Sequence, residues 1–343
     1  MTKVAVVGYG TIGRRIADAL LKQGDMKVAG IVKETPDYRA RIAVERGFDL
    51  YVTSEEKRAA FQERGVSVRG TLPELLGDVD VVIDATTEGV GAENKRLYER
   101  AGVKAIFQGG EEPEVAEVSF VAQCNFEEAV GKRFARVVSC NTTGLCRVLG
   151  ALDQSFGIAR AVAVLARRAA DPHETSKGPI DAILPDPVQI PSHHAHDVQT
   201  VLRGIPLVTL ALKVPATHMH LTSLIVDLKR AATTSDVLSA LEETPRLLLV
   251  DSREGFKSTS HLMDYARELG RSRGDLYEVA VWRDSVRVDG GSLYMFYAVH
   301  QESIVIPENM DAVRALMGGY TREESMARTD TSLGIKHGIY AVH

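Results

Sequence analysis

The chain has 343 residues and a formal charge of −5 at neutral pH. With 45% hydrophobic and 25% charged residues, it has too much apolar material for intrinsic disorder. The slightly acidic balance argues against a nucleic-acid partner, which needs a basic face, and the length suits two domains.

In chain order, Val4–Val7 reads as a strand, Ile12–Gln23 as a helix and Val28–Val32 as a second strand. A helical stretch near Tyr38–Gly47 follows, then a strand at Leu50–Val52 and a helix at Glu55–Arg64. Val79–Asp84 is an apolar strand, Glu93–Ala101 a helix and Val103–Phe107 a strand. Short strands apolar on both faces, alternating with helices, predict a doubly wound parallel sheet of Rossmann type.

The second half reads differently. Ala159–Ala166, Leu207–Val214, Leu221–Leu228, Val279–Trp282 and Ser292–Val299 are strands with few helices between them. This predicts an α+β domain with a mostly antiparallel or mixed sheet. Asp171–Pro191 is a proline-rich segment of the kind that is functional or lies at an interface. Helical periodicity returns at Asp311–Met317 and Arg322–Met326. The expected division is a dinucleotide-binding domain over 1–139, onto which 303–343 packs back, and a catalytic domain over 140–302.

Apolar runs such as Val79–Ala85 and Leu247–Val250 fall far short of the ~20 residues that span a bilayer. No membrane partner is expected, and the amino terminus lacks a secretory-signal pattern. Cys124, Cys140 and Cys146 are an odd set without zinc spacing, which points to reduced thiols and a cytoplasmic location.

Gly8-Tyr9-Gly10-Thr11-Ile12-Gly13 fits G-x-G-x-x-G between a predicted strand and a predicted helix. Gly8 allows a tight turn, Gly10 lets the backbone approach a pyrophosphate, and Gly13 lets helix and strand pack closely. The helix amino terminus then offers N–H groups to the phosphates. About 20 residues onward, where an acidic residue would select NAD, stands the cation Lys33, with Glu34 beside it. The expectation is NADP, with NAD also accepted.

Ser139-Cys140-Asn141-Thr142-Thr143-Gly144 closes a strand and opens a helix. Cys140 at a helix amino terminus is expected to favour thiolate, and the N–H groups there to stabilise an oxyanion. Such chemistry calls for a base or acid, and His218 and His220 are candidates expected on one face of a strand. Arg167 and Arg168 follow an apolar strand and can grip phosphate. Alternating direction in extended chain suggests that only one reaches the site. His193-His194-Ala195-His196 could be read as a metal site, but no carboxylate or cysteine stands at ligand spacing beside it, so no metal is expected.

Together with Arg167-Arg168-Ala169-Ala170-Asp171-Pro172, Gly178-Pro179-Ile180-Asp181-Ala182-Ile183 and Val299-His300-Gln301-Glu302, these segments resemble the archaeal type of phosphorylating glyceraldehyde-3-phosphate dehydrogenase. The resemblance runs over essentially the whole chain. It implies reversible oxidation of glyceraldehyde 3-phosphate with phosphate and NAD(P)+ to 1,3-bisphosphoglycerate, by way of a hemithioacetal and a thioester on Cys140. It selects His220, which matches the family's Met-His pattern, with His218 as the fallback.

The resemblance also places Arg167, Gly109, Gly110 and Gln301 at the cofactor, and His193 and His194 at the substrate phosphate. Ser139, Asn141, Thr142 and Arg168 are further substrate-site candidates. A homotetramer is implied, in glycolysis or gluconeogenesis. An aspartate-semialdehyde-dehydrogenase-like enzyme shares the architecture, and a non-catalytic NADP(H) sensor is the reading from another class. Cys140 with a partner histidine and several anion-binding side chains disfavours the sensor.

Overall fold

The computed structural model describes residues 1–340 apart from Gly109, His173 and Thr175. The chain divides into two compact units, Met1–Ser139 with Ile306–Gly334, and Cys140–Val305 with a return that begins at Ile335.

The first unit alternates strands and helices: β1 (Thr2–Val7), α1 (Thr11–Leu20), β2 (Met26–Val32), α2 (Tyr38–Glu45), β3 (Leu50–Val52), α3 (Glu55–Glu63), β4 (Gly70–Thr71), α4 (Leu72–Leu76), β5 (Val81–Asp84), α5 (Val90–Ala101), β6 (Lys104–Gln108), β7 (Val118–Phe120), α6 (Ala122–Ala129) and β8 (Phe134–Val137). The strands form one parallel sheet in the order β4-β3-β2-β1-β5-β6-β8-β7. Val4–Val7, Val81–Ile83 and Ala105–Phe107 are buried throughout, as a sheet covered on both faces requires.

Two later helices, Ile306–Met317 and Arg322–Leu333, belong to this unit. Arg314 fastens them from a buried position. Its guanidinium donates to both carboxylate oxygens of Asp25 at 2.8 and 2.9 Å, to Gln23 Oε1 and to Thr329 Oγ1. Removing one partner of such a buried pair costs about 3–5 kcal/mol.

The second unit contains α7 (Cys140–Phe156), β9 (Ile158–Arg168), β10 (Leu184–Pro185), α8 (His193–Gln199), β11 (Leu207–Val214), β12 (His220–Leu228), α9 (Thr234–Glu242), β13 (Leu247–Val250), α10 (Thr259–Glu268), β14 (Val279–Trp282), β15 (Arg287–Asp289) and β16 (Ser292–Val299). The two later helices are α11 and α12, and the last strand is β17 (Gly338–Ile339). The sheet is mixed. Its order is β10-β11-β9-β12-β16-β14-β13-β17, with β15 beside β16.

Two differences from the sequence reading stand out. The stretch that joins the first unit is Ile306–Gly334 rather than 303–343, because β17 pairs in parallel with Leu248 and Leu249 and so covers what would be an open sheet edge. The second unit also holds more helix than expected. Its helix α9 opens with a Thr233/Asp236 capping box, a signal present in the sequence.

The glycine turn between β1 and α1 is tightly built. Gly8 has φ +89°, and a Cβ there would lie 2.6 Å from the Ala85 carbonyl oxygen. At Gly13 a Cβ would lie 1.8 Å from the Gly8 carbonyl oxygen, whereas at Gly10 it meets no described atom within 4 Å. Inside a helix Gly→Ala ordinarily stabilises by up to about 1 kcal/mol. Here Gly13→Ala is expected to lower the thermal midpoint by several degrees, while Gly10→Ala leaves it unchanged. Thermal denaturation of both variants checks this, and the reverse order would contradict it.

Candidate active site

The site is built in the second unit where several elements begin or end. Cys140 is the first residue of α7 and is partly buried, behind the half-buried Ser139. Asn141, Thr142 and Thr143 are buried in the first turn. Cys140 thus stands at a helix amino terminus, as the sequence suggested, but the net effect on its thiol is the opposite of the one expected. Burial pushes the Cys140 thiol up, and the Arg168 and Arg167 guanidiniums and the peptide N–H of Asn141 pull it back only in part.

His220 opens β12 and is 1% exposed. Its Nδ1 accepts a hydrogen bond from the peptide N–H of Arg168 at 3.0 Å. That bond places the ring proton on Nε2. Burial first, then Arg168 and Arg167, hold the His220 pKa well below the ordinary value, so the ring is neutral.

His218 and His220 do not face the same side. Met219 between them has φ +66°, which turns the chain before the strand begins, so strand alternation does not reach back to His218. His218 lines a cavity of about 590 Å³ with Leu221, Phe256 and Trp282, and its buried Nδ1 has no hydrogen-bond partner among the described residues. Leu221 points opposite to its neighbour His220.

Gln301 holds this turn. Its amide oxygen accepts from Met219 N–H at 2.7 Å, and its amide nitrogen donates to the Thr217 carbonyl at 2.9 Å. The resemblance had placed Gln301 at the cofactor; here its amide serves the backbone just ahead of His220.

Arg167 and Arg168 end β9. Arg168 is paired with Asp171, Nη2 to Oδ2 at 3.0 Å, and Arg167 Nη1 with Asp186 at 2.5 Å. Both guanidiniums act electrostatically on the Cys140 sulfur, Arg168 more strongly. The buried Arg167 Nε and Asn141 Oδ1 have no hydrogen-bond partner among the described residues. Each is a costly orphan that a bound polar group would satisfy.

His193 and His194 open α8 with their rings stacked 3.9 Å apart. His194 meets Ser192 Oγ through Nδ1 at 3.1 Å and Asn141 Nδ2 through Nε2 at 3.4 Å. Burial first, then His193 and Arg167, push its pKa down to about 2. His194 is therefore neutral, and because the Asn141 amide nitrogen can only donate, Nε2 accepts and the single ring proton sits on Nδ1 toward Ser192 Oγ. One turn on, Asp197 accepts from Thr142 Oγ1 at 2.5 Å. The sequence reading missed Asp197, although its i, i+3 spacing from His194 puts both on one helix face.

In the first unit, Gly10 is the N-cap of α1, Thr11 and Ile12 form its first turn, and no side-chain cap closes this end among the described residues. The space at Gly10 and the uncapped N–H groups suit a pyrophosphate. Gly110 lies exposed in the turn after β6, and Gly109 lies outside the described residues. Lys33 is buried beyond the end of β2, and its Nζ donates to Thr35 Oγ1 at 3.1 Å and to Asp37 Oδ2 at 2.9 Å. Glu34 turns elsewhere and accepts from Thr53. Asp37 is the partner that the sequence reading did not single out.

His194 and His220 are neutral in the fold but have ordinary pKa values near 6.5 when unfolded, so unfolding takes up protons below that pH. Their contribution to stability is complete above about pH 6.5 and is lost as pH falls toward the folded-state values, at about 1.4 kcal/mol per pH unit for each. The urea midpoint is expected to drop between about pH 7 and about pH 5, and His194→Asn to flatten that slope. An unchanged slope would mean that His194 takes up a proton in the folded chain.

A family model for the glyceraldehyde 3-phosphate dehydrogenase C-terminal domain matches residues 139–285, and one for the dihydrodipicolinate reductase N-terminus matches residues 2–122. Proteins named glyceraldehyde-3-phosphate dehydrogenase align along almost the whole chain. The one from Methanopyrus kandleri is 52% identical over 97% of each chain. The one from Archaeoglobus fulgidus is 51% identical over 97% of this chain and 98% of its own, and the one from Pyrobaculum calidifontis is 52% identical over 97% of each. With Cys140 at the head of α7 and a glycine turn ahead of α1, the chain belongs to the glyceraldehyde-3-phosphate dehydrogenase family of the archaeal type.

Proposed function

We propose that the protein is a phosphorylating glyceraldehyde-3-phosphate dehydrogenase. It oxidises D-glyceraldehyde 3-phosphate reversibly with phosphate and NAD(P)+ to 1,3-bisphosphoglycerate, through a thioester on Cys140, in glycolysis or gluconeogenesis. One observation carries the reading: a cysteine heads a helix under the influence of two guanidiniums, and a neutral histidine is oriented by the backbone of one of those arginines.

The first unit fits a dinucleotide, since Gly8 and Gly13 admit no side chain and Gly10 leaves space before uncapped N–H groups. Gly8, Gly10, Thr11, Ile12 and Gly13 would hold the pyrophosphate, and Lys33 a 2′-phosphate when one is present. Gly109, Gly110, Arg167 and Gln301 come to the cofactor by family resemblance. When bound, the nicotinamide supplies a hydride acceptor.

The rest of the chemistry belongs to this chain's own side chains. Cys140 gives up its proton to solvent, with Arg168 and Arg167 lowering the cost of the charge, and its sulfur adds to the aldehyde carbon. The new alkoxide takes a hydrogen bond from His220 Nε2–H and from the N–H groups at the head of α7. Loss of hydride from an alkoxide leaves a carbonyl, so this step needs no base, and His220 acts as a donor. A phosphate oxygen then attacks the thioester carbon, the C–S bond breaks, the Cys140 thiolate re-forms and the phosphate proton passes to solvent.

Ser139, Asn141, Thr142, Arg168, His193 and His194 surround the anions in this reading. The orphaned Arg167 Nε and Asn141 Oδ1 support an anion or hydroxyl partner there. Asp171 and Asp186, which occupy the two arginines, must share them with phosphate.

A homotetramer suits the exposed apolar residues. Ile180, Ile183, Val188 and Ile190 project from the proline-rich segment, and Ile225, Tyr294 and Phe296 from the outer face of β12 and β16. A reducing cytoplasm suits a mechanism that depends on a free Cys140 thiol. Among the described residues no helix is long and apolar enough to cross a membrane.

Cys140→Ser is expected to cut turnover by at least about 1000-fold while dinucleotide binding survives, as read by absorbance at 340 nm and by calorimetry. Normal turnover in that variant would refute the assignment. Arg168→Ala removes a cation from beside the sulfur, so the pH profile of iodoacetamide alkylation should move to higher pH. An unmoved profile would remove Arg168 from the account.

A further inference from the structure

Lys33, the cation read above as the partner of a 2′-phosphate, is already paired. Lys33 follows β2 and its peptide N–H donates to the Tyr51 carbonyl at 3.0 Å, which fixes where the side chain starts. Its stem is buried, and its ammonium ends on Asp37 Oδ2 and Thr35 Oγ1. Asp37 is fixed from the other side. It is the N-cap of α2, and its Oδ1 accepts from the N–H groups of Arg39 at 3.0 Å and Ala40 at 3.2 Å. One carboxylate oxygen thus belongs to the helix and the other to Lys33. Glu34, the nearer acid in sequence, is held by Thr53 instead.

We propose that Asp37 sets the balance between NADP and NAD by neutralising Lys33 and presenting its own carboxylate to the ribose. A 2′-phosphate meets an ion pair whose net charge is zero, and must share Lys33 with a fixed carboxylate. A 2′-hydroxyl meets an acceptor, since Asp37 Oδ2 can take a second hydrogen bond and its side chain is 35% exposed. The acid that NAD-binding units carry at the end of the second strand is replaced here by a lysine and an acid four residues later, and that pair admits both cofactors. Burial alone would raise the Asp37 pKa, but Lys33 and the two helix N–H groups outweigh it. The carboxylate is therefore charged at neutral pH.

This inference rests on the reading of Lys33 as the residue that meets the 2′-phosphate, and the test separates the two. Binding of NADP+ and NAD+ to the intact enzyme is measured by calorimetry, without substrate, for the parent chain, Lys33→Ala and Asp37→Asn. Asparagine keeps the helix cap and removes the charge, so the thermal midpoint serves as a control; Asp37→Ser does the same should the asparagine variant misfold. Asp37→Asn is expected to shift the ratio of the two dissociation constants about tenfold toward NADP. Lys33→Ala is expected to weaken NADP+ selectively. If Lys33→Ala weakens both dinucleotides equally, the reading of Lys33 fails. If Lys33→Ala discriminates but Asp37→Asn and Asp37→Ser leave the ratio unchanged, the role of Asp37 alone is overturned.

Discussion

The chemistry turns on the cost of placing a negative charge on a buried sulfur. Burial opposes the thiolate of Cys140, and two guanidiniums and one peptide N–H oppose the burial without cancelling it. A thiol poised in this way is easier to ionise than its burial alone would allow, and the electrostatics that lower the cost are supplied by fixed neighbours. Arg168 is held by Asp171 and Arg167 by Asp186, so neither needs to reorganise when charge appears nearby. The same residue that lowers the cost also aims the histidine, since the Arg168 peptide N–H orients His220.

The fold places these groups by using the ends of elements. Cys140 begins α7, Arg167 and Arg168 end β9, His193 begins α8 and His220 begins β12. Antiparallel pairing of β9 with β12 brings the end of one beside the start of the other, and this creates the Arg168–His220 bond. Gln301 completes the arrangement by fixing the left-handed turn at Met219. In the first unit, the Lys33–Asp37 pair likewise joins a strand end to a helix cap.

Much of this was legible in the residues, for identifiable reasons. The buried parallel strands carry apolar runs without polar breaks, and the glycine turn has a spacing that sterics enforce. Cys140 at the head of a helix followed from the change of periodicity around it. Other features were not legible, because they depend on pairings distant in sequence or on single backbone angles. The protonation of Cys140 is a balance of burial against charge that a sequence does not contain. The separation of His218 from His220 rests on one positive φ at Met219. The neutrality of His194 follows from its depth, and Gln301 is occupied by a turn some eighty residues away. Asp37 and Asp197 were within reach, the first by its N-cap position and the second by helical spacing from His194.

The most direct measurement of the account is a single turnover without phosphate. Enzyme mixed with D-glyceraldehyde 3-phosphate and NADP+ should produce a burst of absorbance at 340 nm close to one equivalent per chain. Mass spectrometry should then find the acyl group on Cys140, released when phosphate is added. A burst with the acyl group elsewhere, or steady phosphate-independent turnover without any acylated Cys140, would contradict a thioester route through this sulfur.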